Sequence, residues 1–257
     1  MRRITLIMPE DSKNSHLPIE AEVITPETLA KTVQVNVYVG NQKKLLSDVF
    51  DIRVDGEAAG PSATEIVIIG DASRVKRVGE YMTDGRIIIE GDIGMHCGDF
   101  MTGGTIEILG NAGDWLGREM LGGTILCHGN AGNYCGSGYR GGRKGVRGGE
   151  IIVEGNVGDY CGECLFGGVV HVKGNAGLHA GSNMKGGTLV IEGDTVMPCG
   201  DMFGGECTVF GHADDFMPTF RETGSIVENG RELKVFTGDL AHRNGKGTLR
   251  VGSYTRI

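Results

Sequence analysis

The chain has 257 residues and a net charge of −8, and it is long enough to bury one large core. Its acidic balance argues against a general binder of nucleic acid or of anionic membranes. The start, "MRRITLIMPEDSKN", holds too short an apolar run for a signal peptide, and no stretch approaches the roughly 20 apolar residues of a membrane span. We therefore expect a cytoplasmic protein with neither nucleic acid nor membrane among its partners.

Glycine is the outlier of the composition, with 46 of 257 residues against a usual share of roughly 7%. Most of these glycines lie between Gly85 and Gly211, where they punctuate apolar runs such as "RIIIEG" and "TLVIEG". A flexible linker would mix its glycines with serine and few apolar residues. The glycines are therefore positional, and they predict regularly spaced turns.

The first 63 residues carry no repeat. The segments "RITLIM", "TVQVNVYV" and "DVFDIRVDG" alternate as strands do. The segment "TPETLA" predicts a short helix with Thr25 as its cap and Pro26 at its first position. We expect residues 1–63 to form a β-rich cap that protects one open edge of the repeated region behind it.

A unit of about 19 residues then recurs. Its copies begin at Thr64, Asp84, Gly103, Gly122, Gly148, Gly167, Gly186 and Gly204. Each opens with a run of about five residues rich in Ile, Val and Thr and bounded by glycine, which indicates a strand. A fixed period of this size predicts a stack of coils, and so many helix breakers exclude a helix–turn–helix unit.

Two columns of the aligned copies are almost uniformly apolar and lie two positions apart. They are Ile66, Ile87, Ile106, Ile125, Ile151, Val170, Leu189 and Cys207, and then Ile68, Ile89, Ile108, Cys127, Val153, Val172, Ile191 and Val209. Side chains alternate across a strand, so both columns face the same side. Stacking the copies about 4.8 Å apart lets them fill a common interior. We predict an all-β fold, a single-stranded right-handed parallel β-helix of about seven to eight coils over residues 64–213.

The turn after each strand carries a polar column. Its members are Asp71, Asp92, Asn111, Asn130, Asn156, Asn175 and Asp194. Asn and Asp satisfy turn backbone groups locally, so we expect a polar turn ladder. A stretch such as "GNAGDWLG" read alone would suggest phosphate binding. A nucleotide needs one site, however, and no copy is placed as the opening of a βαβ unit.

The cysteines and histidines do not form a reactive constellation in this alignment. Cys97, Cys135, Cys161 and Cys199 share one repeat position with Leu116 and Ala180, which indicates a small apolar core slot. A redox pair or cluster at "CGEC" (161–164) is the alternative, although paired C-x₂-C spacings are absent. The histidines occupy different repeat slots, and no nucleophile elbow, Walker loop or zincin motif occurs. We expect no catalytic residue, no bound cofactor and no metal in this chain.

Two features predict partner contacts outside the core. The strand position between the core columns holds large aliphatic residues such as Ile88, Leu126 and Ile152, and it is too apolar for plain solvent surface. Either the ends of the chain cover it or another protein does. One slot just outside the core is often aromatic and holds Trp115, Tyr134 and Tyr160, with histidine at 96 and 179.

The interruption "GGRKGVR" adds seven residues, placed at 141–147. With the preceding arginine it gives a basic, glycine-rich protrusion on an acidic protein. The cations are Arg140, Arg143, Lys144 and Arg147. Such a protrusion is either a solvated loop or an element that docks onto an acidic partner or an anionic cofactor tail. Beyond residue 213 the period breaks, and we expect residues 214–257 to cap or wrap the other end.

The repeat "GG-x-h-x-h-x-G-[ND]-x-G-x-x-x-G" resembles the GXGXG β-helix. That fold is shared by the C-terminal domain of the glutamate synthase large subunit and by the C subunit of formylmethanofuran dehydrogenase. The chain resembles the latter family over nearly its whole length, through its short β-rich lead, its "FTGDLAHRNGKGTLRVGS" tail and the GG-R-K-G-x-R-GG insertion.

The resemblance implies a non-catalytic scaffold subunit. In that family a molybdenum or tungsten pterin subunit reduces carbon dioxide to formate, in the first step of methanogenesis. An amidohydrolase-like subunit with a dinuclear metal site then attaches the formyl group to methanofuran. Molybdopterin, iron–sulfur clusters and the dinuclear metal are accordingly expected in partner subunits. A bacterial formyltransferase/hydrolase complex has a similar subunit, and a glutamate-synthase-like assembly is a further alternative. A free-standing β-helix enzyme would need Asp, Lys or Arg residues gathered in one cleft.

Overall fold

The computed structural model describes residues 1–10, 16–57, 60–139, 141–243 and 245–257. Each repeat contributes one strand. These eight strands are β6 (Thr64–Ile69), β8 (Arg86–Glu90), β9 (Thr105–Ile108), β10 (Thr124–Cys127), β11 (Glu150–Val153), β12 (Val169–Val172), β13 (Lys185–Ile191) and β15 (Gly204–Phe216). All neighbouring pairs among them are parallel. The all-β, stacked-coil prediction is confirmed.

The register joins equivalent positions of successive repeats. Ile106 pairs with Ile87 on one side and with Ile125 on the other. Every member of the two predicted core columns is fully buried. Alternation along each strand therefore places the same two side chains of every coil in the interior, as the period-2 pattern requires.

The turns contribute two further buried columns. One is Ala72, Ile93, Ala112, Ala131, Val157, Ala176 and Ala213, of which most join their neighbours through isolated parallel bridges. The other is Met82, Met101, Met120, Val146, Leu165, Met184 and Met202, all fully buried. The predicted cysteine slot also lies in the interior. The core is thus closed by side chains from the turns as well as from the strands.

The polar column after each strand is a hydrogen-bonded ladder, as predicted. The backbone N–H of Asn111 donates to Asp92 Oδ1 at 2.7 Å, and that of Asn130 donates to Asn111 Oδ1 at 2.9 Å. The pattern continues to His212 N–H, which donates to Asp194 Oδ1 at 2.7 Å. These side chains satisfy amide groups that the corner leaves without a strand partner.

The N-terminal segment continues the stack. Strand β1 (Arg2–Ile7) pairs parallel with β6 and antiparallel with β5 (Asp51–Asp55). A second sheet contains β2 (Ile19–Glu20), β3 (Asn36–Val39), β4 (Gln42–Leu45) and β7 (Val75–Lys76). The predicted helix is α1 (Pro26–Leu29), and the side chain of Thr25 accepts from Thr28 N–H. Single 3₁₀ turns occupy Leu46–Asp48 and Pro61–Ala63.

The C-terminal segment extends the other end of the same sheet. Strand β18 (Gly247–Arg256) pairs parallel with β15, which also pairs with β14 (Thr195–Val196). Antiparallel strands β17 (Arg231–Gly238) and β16 (Arg221–Glu228) follow outward. Hydrogen bonding runs without a break from the N-terminal to the C-terminal strands. The division at 63/64 and 213/214 stays a prediction.

Candidate interaction surface

The aromatic slot forms a stacked column on one corner of the coils. The ring centroids of Trp115 and Tyr134 are 4.6 Å apart, and those of Tyr134 and Tyr160 are 5.1 Å apart, each pair within 7° of parallel. His96 stacks on Trp115 at 5.3 Å, and His179 closes the column at 5.2 Å from Tyr160. Stacked aromatic pairs contribute about 0.5–1.5 kcal/mol each beyond their buried area. The column is therefore a rigid, half-buried edge.

The backbone of the corner explains why this column points outward. Trp115, Gly117 and Glu119 all have positive φ, at 59°, 65° and 52°. The sign of φ changes from one residue to the next, so Leu116 enters the core while Trp115 leaves it. A Cβ on Gly117 would lie 2.4 Å from the Cδ1 atom of Ile151, which is why only glycine fits this point of the turn.

The basic protrusion begins two residues earlier than the sequence alignment placed it. Val146 is fully buried in the methionine column, and the N–H of Arg147 donates to Met120 O as an ordinary turn residue does. The seven additional residues are therefore 139–145, not 141–147. Arg147 belongs to the coil itself, where its guanidinium lies 3.6 Å from Glu119 Oε2. Arg140 lies outside the described residues.

The protrusion packs against the aromatic column. The ring of Tyr139 lies 6.2 Å from Trp115 and 5.1 Å from the guanidinium carbon of Arg118. Further along, Lys144 Nζ lies 4.7 Å above the ring of Phe166. Arg143 is exposed. The structure thus places Trp115, Tyr134 and Tyr160 beside the protrusion, on one continuous surface.

A cavity of about 270 Å³ opens between the column and the protrusion. Its lining includes Tyr134, Tyr139, Tyr160, Glu163 and Cys164. Burial raises the pKa of the Cys164 thiol, the nearby Glu163 carboxylate raises it further, and Lys185 opposes both. A thiol held protonated in this way is a poor nucleophile. The cavity therefore suits binding rather than covalent chemistry.

A buried ion pair beneath this surface is a feature that sequence reasoning missed. Asp99 is fully buried and lies 2.8 Å from Arg118 Nη2 and 2.8 Å from His96 Nδ1. Burial raises the pKa of Asp99, while the hydrogen bond to His96 and the charge of Arg118 oppose that rise. Arg118 also lies over the ring of Phe100. The pair therefore fixes the guanidinium on which Tyr139 rests.

The strand column, formed by the strand position between the two core columns, lies on a different face from the aromatic column. Ile88, Leu126 and Ile152 are half-buried, and they alternate with core residues. At the two ends of the same column Val67 is 1% exposed and Thr208 is 4% exposed. The ends of the column are thus covered within the chain, whereas its middle stays open.

Charged side chains run beside the open part of the strand column. Glu107 lies between two basic side chains, with Oε2 at 2.6 Å from Arg86 Nη2 and Oε1 at 3.2 Å from His128 Nε2. Glu154 does the same one coil further on, with Oε2 at 2.8 Å from His128 Nδ1 and Oε1 at 2.7 Å from Lys173 Nζ. The hydrogen bonds to Glu154 and Glu107 raise the pKa of His128. This face therefore satisfies its charges internally.

Cysteines and metal-binding side chains are the remaining candidates for a reactive site. No three or more of their His, Cys, Asp and Glu side chains come together as a metal site. The seven cysteines are free and buried, and burial raises the pKa of Cys127 to about 12. Cys161 faces the core, whereas Cys164 lines the cavity. No helix in the described ranges is long and apolar enough to cross a membrane.

Comparison with known proteins gives relatives in sequence. The C subunit of molybdenum-containing formylmethanofuran dehydrogenase 1 from Methanosarcina barkeri is 41% identical over 87 residues, which is 31% of this chain and 28% of the relative. The C subunit of tungsten-containing formylmethanofuran dehydrogenase 2 from Methanococcus maripaludis is 36% identical over 85 residues, 31% of this chain and 30% of the relative. The matched stretch thus spans less than a third of either relative. No protein-family model matches.

Comparison of structures extends the likeness to the whole chain. A chain in the crystal structure of the formyltransferase/hydrolase complex from Methylorubrum extorquens, solved in complex with methylofuran, superposes with a TM-score of 0.86 and 29% identity. The match covers 96% of this chain and 98% of that one. These comparisons confirm the resemblance given by the glycine repeat: the chain is similar in sequence to the C subunit of formylmethanofuran dehydrogenase and in fold to a chain of the bacterial formyltransferase/hydrolase complex.

Proposed function

We propose that the chain is a non-catalytic scaffold subunit of a formylmethanofuran dehydrogenase complex. In this role it organises a pterin-binding subunit and an amidohydrolase-like subunit, which hold the molybdopterin, the iron–sulfur clusters and the dinuclear metal. The observation that supports the subunit role is the match over 96% of the chain to a chain of the multi-subunit formyltransferase/hydrolase complex. The sequence likeness to C subunits of formylmethanofuran dehydrogenase favours the dehydrogenase. The β-helix supports it, because a stack of coils presents long, rigid faces to partners.

The chemistry of the described residues agrees with a scaffold role. The buried carboxylate of Asp99 is engaged by Arg118 and His96, and the strand-face carboxylates of Glu107 and Glu154 are engaged by basic side chains. A hydrolase or transferase site needs a nucleophile or base directed into a pocket. The cavity beside the protrusion is lined by Glu163 and by Cys164, and the raised pKa of the Cys164 thiol makes it a poor nucleophile.

The bacterial formyltransferase/hydrolase complex is the second candidate. It is favoured by the structural likeness, because the match covers 98% of the bacterial chain, whereas the sequence likeness to the C subunit from Methanosarcina barkeri extends over 28% of that relative. A pterin-binding chain with molybdenum or tungsten in the isolated complex would identify the dehydrogenase. An amidohydrolase-like chain without a pterin subunit would identify the hydrolytic complex.

Subunit depletion tests the scaffold role. The catalytic chains are produced with and without this chain, and their association is measured by size-exclusion chromatography with light scattering. We expect the catalytic chains to separate when this chain is left out, and the isolated chain to show no formyl-transfer or formate-oxidising activity. Catalytic chains that assemble equally well without it would contradict the scaffold role, and activity of the isolated chain would contradict its non-catalytic nature.

A further inference from the structure

One repeat position forms a surface column of exposed and half-buried side chains, which we call the docking column. It is the residue before the Gly-Gly or Asp-Gly pair that opens a repeat, and its last five members are Leu121, Arg147, Phe166, Lys185 and Phe203. The backbone fixes their register, because each N–H donates to a carbonyl of the preceding coil at 2.7 to 2.9 Å. Apolar and cationic side chains therefore alternate along this docking column, one per coil.

The docking column is unusually apolar for an exposed surface. Leu121, Phe166 and Phe203 are 42%, 44% and 41% exposed. They recur at every second coil, roughly 10 Å apart at the strand spacing of a sheet. Large apolar side chains repeated on one exposed stripe mark an interaction surface.

Positive charge gathers on the same stripe of an acidic chain. Lys144 of the protrusion lies over the ring of Phe166, with its Nζ 4.7 Å from the centroid. The Nζ of Lys185 donates to Arg143 O at 2.6 Å, which ties the protrusion to the column. Arg147 adds its guanidinium one coil earlier, where it lies 3.6 Å from Glu119 Oε2 and keeps 32% of its side chain exposed. Cationic side chains thus lie on either side of the apolar members of the column. This arrangement favours a partner that carries both carboxylates and apolar groups.

One carboxylate of the chain itself, that of Glu27, already binds at this column. Glu27 Oε1 accepts from Thr83 N–H at 2.7 Å and from Thr83 Oγ1 at 2.6 Å, and Thr83 is the first member of the column. Burial raises the pKa of Glu27, but these hydrogen bonds outweigh it and lower the pKa overall. At the far end, the ring of His242 stacks on Phe203 at 4.0 Å. The two ends of the column are thus already used for docking.

We propose that the open middle of the docking column, from Leu121 to Lys185, binds a carboxylate-bearing surface of another subunit. Two carboxylates roughly 10 Å apart would pair with Arg147 and Lys185, and apolar side chains between them would pack on Leu121 and Phe166. This inference rests on the proposed function and deepens it. It assigns the scaffold contact to the corner with the protrusion rather than to the strand face.

The test compares two charge-neutralising variants of the full chain. The first is Arg147→Gln with Lys185→Gln, and the matched control is Lys43→Gln with Lys44→Gln on β4, which changes the net charge equally. A third variant, Phe166→Ser, removes an apolar member without changing charge. Each tagged chain is co-produced with the catalytic chains that co-purify with the wild type, and the dissociation constant of the isolated complex is measured. The thermal midpoint of each isolated variant reports folding.

We expect the column double variant and Phe166→Ser each to weaken assembly by about tenfold or more, with an unchanged control and unchanged thermal midpoints. Retained assembly in both column variants would overturn the inference and leave the proposed function standing. Equal weakening by the control pair would also overturn it, because general electrostatics would then explain the loss. A wild-type chain that captures no other chain would contradict the proposed function itself.

Discussion

Two neighbouring isoleucines of one strand test the coil interior most cleanly. Ile151 is fully buried, whereas Ile152 is half-buried on the outer face. A Cβ added to Gly117 or Gly136 would lie within 3.5 Å of Ile151 Cδ1, so the side chain packs on backbone that cannot collapse into a cavity. We therefore expect Ile151→Ala to cost about 3–5 kcal/mol.

The matched change Ile152→Ala removes the same atoms from the outer face of β11. We expect it to cost about 1 kcal/mol, through lost strand propensity and partial burial. Guanidinium denaturation of each variant, followed by circular dichroism, gives the two free energies. At roughly 2–4 °C per kcal/mol, the thermal midpoint of Ile151→Ala should fall by about 6–20 °C. Equal losses for the two variants would refute the assigned faces.

Three further outcomes follow from the corner and the charged face. Gly117→Ala should lower the unfolding free energy by about 1–3 kcal/mol, because φ is 65° and the new Cβ would lie 2.4 Å from Ile151 Cδ1. The control Gly230→Ala should cost less, because φ is similar at 74° but no atom lies within 4 Å of the new Cβ. Arg118→Ala leaves Asp99 buried without its guanidinium partner and with only the His96 hydrogen bond, and it should cost about 3–5 kcal/mol at neutral pH in denaturation. His128 should titrate by NMR above the usual imidazole pKa of about 6.5, because Glu154 and Glu107 accept from its ring.

The direction of each pKa shift predicts how the stability lost in the His128 and Arg118 variants changes with pH. A histidine whose folded pKa is raised adds stability below its unfolded pKa, and that stability is lost as pH rises through the folded value. Stability lost by His128→Gln should therefore be larger at pH 5 than at pH 9. The pKa of Asp99 is also raised, so ionisation of its carboxylate disfavours the folded state in the same direction, as pH rises. Arg118→Ala removes the cation that offsets this cost, and it should therefore be least harmful in acid. Profiles without pH dependence would contradict these assignments.

The strands and their inward columns could be predicted because alternation repeats in every copy. The corner was harder, since its residues follow no period of two. The buried methionine column, with Met101 and Met120, lies in an irregular turn where sequence alone gives no direction. The Asp99–Arg118 pair was missed for a similar reason: one repeat slot holds an acid in one coil and a base in the next. Opposite charges in one slot of adjacent coils are the signal that could have found it.

The protrusion shows how repetition can mislead. The insertion contains its own Gly141–Gly142 pair, which imitates the pair that opens every repeat. Aligning on glycines therefore shifts the boundary by two residues, and only the burial of Val146 fixes it. The corrected register is what moves Arg147 into the docking column. Trp115, Tyr134 and Tyr160 share one repeat slot, and the structure adds that their rings stack, because residues one coil apart are neighbours.

Affinity isolation of the tagged chain from its native host, with identification of the co-purifying chains and metals, tests the central claim most directly. The account predicts a stable complex that contains an amidohydrolase-like chain and, for the dehydrogenase, a pterin-binding chain with molybdenum or tungsten. A chain recovered alone and monomeric at physiological ionic strength would contradict it.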